Sequence, residues 1–418
     1  MIKDSINIKI NKERLFNRLI ELGNIGKGVS GGVSRIAFSE EDKKGLELIE
    51  LYMKEAGLSV RYDFAGNLIG RKEGENPSAP VVLTGSHSDT VYEGGKFDGS
   101  LGIIGGIEVL QVMEEQGIIT EHPIEVLAYR DEEGCRFKAG YSGSRAMTGK
   151  WNNETLNHMD SNGMTIRDAL KLNGLDPNKV QEARRSRESI KAHVELHIEQ
   201  GKVLEQKQQS VGIVSGICGS SRGRILLRGE AGHAGTTPMN IRRDPLVAAA
   251  KIIQLINEEA NKTLTTVGTV GKLEVFPGGA NVIPDRVEFS VDIRDLHDNV
   301  RNTVEEKVLL RAKEICRESG IDMEILVWRK GESKLCSESI QNIIKDACLK
   351  SNVDVFSLPS GAGHDSGNFE GFCPMGMIFV RSKDGVSHHP AEWSSPEDCV
   401  NGTNVLFHTL LDLAILVK

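Results

Sequence analysis

The sequence of 418 residues is 39% hydrophobic and 26% charged, too long for one ordinary domain and long enough for two. Its 51 basic and 59 acidic residues leave a net charge of −8, and no basic block offers a nucleic acid a counter-surface. No apolar run reaches the roughly 18 residues that span a bilayer, which argues against a membrane protein. The opening stretch with Lys3, Asp4 and Lys9 lacks the uninterrupted apolar core of a signal peptide. Seven scattered cysteines without a C-x-x-C pair fit reduced thiols in a cytoplasmic enzyme.

In chain order, residues 12–22 place Leu15, Phe16, Leu19 and Ile20 at helical spacing. Ser39, followed by Glu40, Glu41 and Asp42, predicts a helix start, with Leu46, Ile49 and Met53 as its apolar stripe and Gly57 as its end. Strands are expected over 58–64, 67–71, 80–84, 124–129 and 192–198, with a helix over 101–116. Strand, helix, strand is the grammar of a mostly parallel sheet between helices, an α/β fold. After Gly212 the texture changes. Residues 212–217 and 223–228 read as paired strands, followed by helix 245–260, strands 265–276 and 286–294, helix 299–319 and strand 323–328. This run reads as a small α+β domain, 212–329, inserted into a catalytic domain made of 1–211 and 330–418. The first texture resumes with helix 338–350, strands 353–358 and 375–381, and helix 396–417.

Ligands of open α/β sheets bind beyond the carboxyl ends of strands, and the polar motifs fall there. Strand 81–84 leads to His87 and Asp89, and Asp98 precedes helix 101–116. Strand 124–129 runs into Asp131, Glu132 and Glu133. Strand 192–198 carries His197, with Glu199 just beyond, and His388 and His389 follow strand 375–381. His, Asp and Glu bind borderline divalent ions. Singly, each has a blander reading: a strand-end His is more often a hydrogen-bonded loop residue, and adjacent acids more often a solvated helix start. Together they make a metal centre a serious alternative.

The strings G-S-H-S-D-T, F-D-G-S-L-G, D-E-E-G-C-R-F, E-L-H-I-E-Q-G, G-x-A-G-H-A-G-T-T-P-M, G-G-A-N-V-I-P, G-A-G-H-D and S-H-H-P-A-E occur in that order. Over residues 10–415 they resemble the amidase, hydantoinase and carbamoylase branch of the dinuclear metallopeptidase-like hydrolases. That branch contains N-carbamoyl-L-amino acid hydrolases, allantoate amidohydrolases and β-ureidopropionases. The resemblance implies a catalytic α/β domain with an inserted lid that forms a homodimer, and two divalent ions per subunit: zinc, manganese, cobalt or nickel. His87 and His197 would hold one ion, Glu133 and His388 the other, with Asp98 bridging; His389 is the rival to His388. Glu132 would be the general base, and Asp89 would orient the imidazole of His87.

On the inserted domain, His233 resembles the histidine that polarises the scissile carbonyl. Asn281 and Arg294 resemble the pair that grips the carboxylate of a small-molecule substrate. Gln200, Gly361 and His364 would line the pocket. Asp365, His193, His408 and the cysteines, Cys135 included, read as structural. The related peptidases usually place a carboxylate where His197 stands, so the resemblance favours a carbamoyl-cleaving amidohydrolase. Allantoate amidohydrolase is the alternative, with β-ureidopropionase or a metallodipeptidase behind it. A metal-binding protein that has lost catalysis would lack a ligand or the base, and all six are present. Substrate is expected to draw the two domains together.

Overall fold

The computed structural model describes residues 9–415. The opening stretch with Lys3 and Asp4, and the end of the expected helix 396–417, lie partly or wholly outside them. The chain forms two compact units, one from Gly216 to Leu335 and the other from the residues up to Ser215 and from Cys336 onward. The expected boundaries at 212 and 329 fall inside continuous strands, so the units divide a few residues later.

The larger unit begins with helices Lys12–Leu22 and Glu40–Glu55, the second capped by the Ser39 side chain, which accepts from the Asp42 backbone N–H. Its strands are β1 (Ser59–Tyr62), β2 (Leu68–Lys72), β3 (Val81–His87), β4 (Ile124–Tyr129), β5 (Ile190–Ile198) and β6 (Val211–Ile217). The smaller unit contributes β7 (Gly219–Arg228), β8 (Gly232–His233), β9 (Val267–Thr269), β10 (Leu273–Phe276), β11 (Val282–Ile283), β12 (Arg286–Asp295) and β13 (Asp322–Gly331). After it come β14 (Lys334–Leu335), β15 (Ser357–Ser360) and β16 (Met375–Val380).

Four strands at the middle of the large sheet, in the order β4-β3-β5-β16, are mutually parallel, and antiparallel strands flank them on both sides. A parallel sheet is covered on both faces, and every residue of β3, β4 and β16 is accordingly buried. Helix Ser100–Glu115 crosses from β3 to β4 and is apolar nearly all round, as a fully buried helix must be. Its glycines let it lie close to the sheet: a Cβ on Gly102 would sit 2.4 Å from the Leu196 carbonyl oxygen. That approach brings the start of the helix, with Asp98 just ahead of it, to the carboxyl ends of β3 and β5.

In the smaller unit, β7, β12, β10 and β13 form an antiparallel sheet with β9 added to β12, packed on helices Pro245–Asn261 and Asp298–Glu318. Three strand expectations need correction. Segments 212–217 and 223–228 do not pair with each other. β6 pairs with β16 and β7 with β12 and β13, so the chain leaves one sheet at Ile217 and enters another at Gly219. Segment 265–276 is two short strands, β9 and β10, interrupted around Gly271. Segment 353–358 becomes strand only from Ser357, because helix Glu338–Lys350 closes first through Val353 N–H to the Cys348 carbonyl.

Gly99 carries φ +64°, and a Cβ there would lie 2.3 Å from the His87 carbonyl oxygen and 2.6 Å from its ring. Gly99→Ala is therefore expected to cost about 2–3 kcal/mol of stability, read as a lower urea midpoint, from left-handed strain plus the clash. An unchanged midpoint would show that the β3–helix junction tolerates what its geometry forbids.

Candidate metal centre

Five side chains from five segments converge at the carboxyl ends of the parallel strands. Asp98, 4% exposed, lies at their centre. Its Oδ1 is 3.1 Å from His197 Nε2 and 3.5 Å from His87 Nε2, while its Oδ2 is 3.1 Å from His388 Nε2. Glu133 Oε1 stands 3.6 Å from that same His388 nitrogen. Asp98 is shared by two triads, His87–Asp98–His197 and Asp98–Glu133–His388, each with its ligand atoms within 4.8 Å of one another; His87–Glu132–Glu133 and Glu195–His197–His364 meet the same distance without it. Glu132 is buried beside them, its Oε2 3.9 Å from His87 Nε2.

The tautomers suit a cation. His87 Nδ1 lies 2.9 Å from the Asp89 carbonyl oxygen, and His197 Nδ1 lies 2.9 Å from the Ile198 carbonyl oxygen. A carbonyl only accepts, so each Nδ1 carries the hydrogen and the lone pair of the neutral ring sits on Nε2. That lone pair faces a carboxylate oxygen, an arrangement that is repulsive unless a positive charge lies between them. A proton can fill that role, and so can a divalent ion. Accordingly, hydrogen bonding to Asp98 pulls the pKa of His388 up to about 9 against the pull of burial. Burial pushes the Asp98 carboxyl up, but hydrogen bonds from His197, His388 and His87 outweigh it and hold the group well below the usual range. Burial pushes Glu133 up to about 7, with His87 opposing, and drives Glu132 well above the usual range. Imidazole and carboxylate are the donors that zinc, manganese, cobalt and nickel accept, so the residues fit such an ion.

Asp89 positions His87 differently from the sequence expectation. Its backbone carbonyl, not its carboxylate, meets the imidazole; the nearest carboxylate oxygen is 4.0 Å away. The carboxylate instead accepts the backbone N–H groups of Glu132 and Glu133 at 3.1 and 3.2 Å. Glu199 is likewise no ligand, since its carboxylate accepts from Val203 N–H and Leu204 N–H at the start of a short helix. Asp131 accepts from the Ser142 hydroxyl, and His389 accepts from Ala391 N–H in its own loop, leaving the site to His388. Three of the non-glycine residues with positive φ lie in or beside this cluster: Asp131 (54°), Gln200 (59°) and His388 itself (55°). Such strain clusters at functional sites.

Among the expected pocket residues, Gln200 Nε2 donates to Asp98 Oδ2 at 2.8 Å, while its buried Oε1 has no partner among the described residues. Gly361 is exposed and a Cβ there would meet nothing within 4 Å. His364 is buried behind the site, with its ring centroid 4.5 Å from that of His197 and its Nε2 2.8 Å from the Ser360 hydroxyl. Buried His193 stacks on Phe369, and burial takes its pKa down to about 3. Buried Asp365 accepts from the Ser144 hydroxyl.

The smaller unit holds the remaining three. His233 pairs with Val282 across β8 and β11, and Ala234 N–H donates to the Asn281 carbonyl, so His233 and Asn281 share one ladder. His233 Nδ1 accepts from Gly235 N–H at 3.1 Å, which leaves Nε2–H as the donor of the neutral ring. Arg294 grips Asp292 bidentately at 2.9 and 2.8 Å, and Arg222, across the sheet, holds the same carboxylate at 3.1 Å.

Sequence reasoning missed Ser387, Glu392 and Glu195. Ser387 and Glu392 belong to the S-H-H-P-A-E string, so their signal was present without a role. Buried Glu195, which accepts from the Ser86 hydroxyl and Ser366 N–H, opens the E-L-H-I-E-Q-G string and was likewise given no role.

A family model described as peptidase family M20/M25/M40 matches residues 83–412. The chain is 52% identical over 405 residues to an N-carbamoyl-L-amino acid amidohydrolase of Geobacillus stearothermophilus, covering 97% of this chain and 99% of that one. It is 34% identical to an allantoate deiminase of Arabidopsis thaliana, covering 95% of this chain and 81% of the relative. A crystal structure of an amidase of the hydantoinase/carbamoylase family from Burkholderia multivorans superimposes with a TM-score of 0.92 at 34% identity, covering 98% and 99% of the two chains.

Replacing Asp89 by alanine strands two buried N–H donors, each worth about 1–3 kcal/mol when unpaired. Amide hydrogen exchange at Glu132 and Glu133 is expected to accelerate at least tenfold in Asp89→Ala, an order-of-magnitude figure from that loss. Unchanged protection at both amides would mean that something else holds the acid loop.

Proposed function

This chain belongs to peptidase family M20/M25/M40, and from that premise we propose that it hydrolyses the ureido C–N bond of N-carbamoyl-L-amino acids with two divalent cations per subunit. The observation that carries this reading is the single carboxylate shared by two donor triads, with a further buried acid beside it. His87 and His197 would hold one cation, Glu133 and His388 the other, and Asp98 would serve both. The relative at 52% identity is named for this activity, whereas the named allantoate deiminases stand at 34–36%, so allantoate is the second substrate to test. When bound, the cations would polarise the carbonyl and acidify water.

The remaining chemistry belongs to the side chains. Glu132 takes the proton of the attacking water and returns it to the departing nitrogen, so hydrolysis ends in amino acid, carbon dioxide and ammonia. His233 donates Nε2–H to the scissile carbonyl oxygen, where negative charge develops. Arg294 and Asn281 grip the substrate's carboxylate, a task that the guanidinium fork already performs on Asp292. Gln200, Gly361 and His364 form the wall. A homodimer through the smaller unit is part of this reading, supported by the exposed apolar Val247, Leu264, Val267 and Leu273 on that unit. A cytoplasmic location is supported by seven cysteines that are all unpaired.

Release of ammonia and amino acid from N-carbamoyl-L-amino acids, allantoate, 3-ureidopropionate and dipeptides tests the substrate class. The carbamoyl substrates are expected to lead, and to lose turnover on chelation and regain it with manganese, cobalt or zinc. Turnover by exhaustively chelated protein would refute the cation reading.

Glu132→Gln should bind both cations yet turn over roughly 10²–10⁴-fold more slowly, the share general acid–base catalysis commonly supplies. A cation-depleted Glu132→Gln would exchange the roles of Glu132 and Glu133.

Arg294→Ala should lower kcat/KM for carboxylate substrates by a factor corresponding to about 2–3 kcal/mol, the worth of a charge-assisted pair, with little change for the carboxamide analogues. An equal loss on both would place Arg294 away from the carboxylate. Mixing Arg294→Ala with Glu132→Gln chains then asks whether the clamp is shared: activity above either parent means that one subunit completes the other's site.

A further inference from the structure

Glu392 lies four residues beyond His388 and is 3% exposed, yet it belongs to neither donor triad. One oxygen, Oε1, accepts the backbone N–H groups of Phe97 at 2.9 Å and Asp98 at 3.1 Å. The other, Oε2, accepts the hydroxyl of Ser387 at 2.8 Å, and that hydroxyl also lies 3.1 Å from Asp98 Oδ2. One carboxylate therefore ties the loop that presents Asp98 to the loop that presents His388. Aromatic packing reinforces the tie, because Phe97 and Trp393, the chain neighbours of Asp98 and Glu392, meet edge to face with centroids 5.4 Å apart. Gly95 leaves room for it: a Cβ there would come within 1.9 Å of the Glu392 carboxylate.

A surface acid would not carry such an arrangement. Burying a carboxylate is costly unless its lone pairs are filled, and here three donors from two loops fill them. The loop it holds is also the one under strain, since His388 has φ 55° and its side chain is exposed. An exposed imidazole on a strained loop keeps its place only if the loop behind it is anchored. In this fold β16 ends at Val380, well before His388, so the sheet itself does not anchor it.

We propose that Glu392 is a positioning residue that locks His388 and Asp98 into one donor set, and so determines how tightly the cation of the Asp98–Glu133–His388 triad is held. The inference rests on the cation reading above. Its effect falls harder on that triad, because Glu392 holds the loops of both Asp98 and His388, whereas the triad His87–Asp98–His197 takes its imidazoles from β3 and β5 and shares only Asp98.

The test is Mn²⁺ binding by the full-length protein, followed by calorimetry and by competition with a chelating dye, with circular dichroism and thermal melting as checks on folding. Glu392→Ala should weaken one of the two cations by about 10–100-fold, the usual cost of losing a partner behind a ligand, and the other, which shares only Asp98, by a smaller factor. Glu392→Gln keeps an oxygen for the two N–H groups and should restore most of the affinity. Gly95→Ala leaves Glu392 in the sequence but displaces its carboxylate, and should reproduce the Glu392→Ala loss. Should Glu392→Ala fail to fold, Gly95→Ala compared with Glu392→Gln decides. If the variants lower the melting temperature but keep both affinities, Glu392 is a structural group only and the inference is wrong. If the parent itself binds no Mn²⁺, the cation reading falls, and this inference with it.

Discussion

One carboxylate, Asp98, faces three imidazoles from three segments of the chain, and the surrounding structure is organised to keep it there. Buried charge of either sign is costly, and a carboxylate in a protein interior ordinarily takes up a proton or finds a partner. Here the partners are the nitrogens of His87 and His197, which face one carboxylate oxygen, and of His388, which faces the other. The close packing of helix Ser100–Glu115 on β3 and β5 serves that end. The helix that follows Asp98 approaches the sheet near enough to exclude any side chain at Gly102, and the carboxylate is carried to the strand ends with it.

Around this centre, acidic side chains act on the backbone more than on ions. Asp89 holds the acid loop by two N–H groups, Glu199 holds the segment after β5 by two, and Glu392 holds the Asp98 loop by two. A loop at a strand end has N–H groups that no ladder satisfies, and a buried carboxylate satisfies them with charge-assisted bonds. Asp98, Glu132, Glu133 and Glu195 stand within donor groups, while Asp89, Glu199 and Glu392 hold the loops around them. This is why Asp89 and Glu199, which look like donors in the sequence, are pins in the structure.

The strands and helices were legible because their patterns are local. Short, mostly apolar segments bounded by polar loops mark β3, β4 and β16, and the Ser39 cap marks its helix. The misread pair, β6 and β7, shows where such reasoning stops. Two adjacent β-type segments with a short link suggest a hairpin, but pairing is settled by which surfaces each strand can bury, and here the two bury theirs in different sheets. The short strands β9 and β10 and the late start of β15 were misjudged for a related reason: apolar composition continues where the hydrogen-bonded ladder does not.

The sequence by itself determined the α/β class, the insertion of a second unit, and the identity of the residues that meet at the centre, because ordered motifs and residue chemistry are properties of the chain. It also named His388 ahead of His389, through the motif and not through any local physical difference between adjacent histidines. Only the tertiary structure sets them apart, by pointing one imidazole at Asp98 and folding the other into its own turn. It alone put Asp98 at the meeting point of two donor groups, turned Asp89 from an imidazole-orienting carboxylate into a backbone pin, and gave Glu392 and Ser387 their place. The physical reason is the same in each case. Ligation and hydrogen bonding depend on distances of about 3 Å between atoms tens or hundreds of residues apart, which the packing of the helices on the parallel sheet sets and spacing along the chain does not.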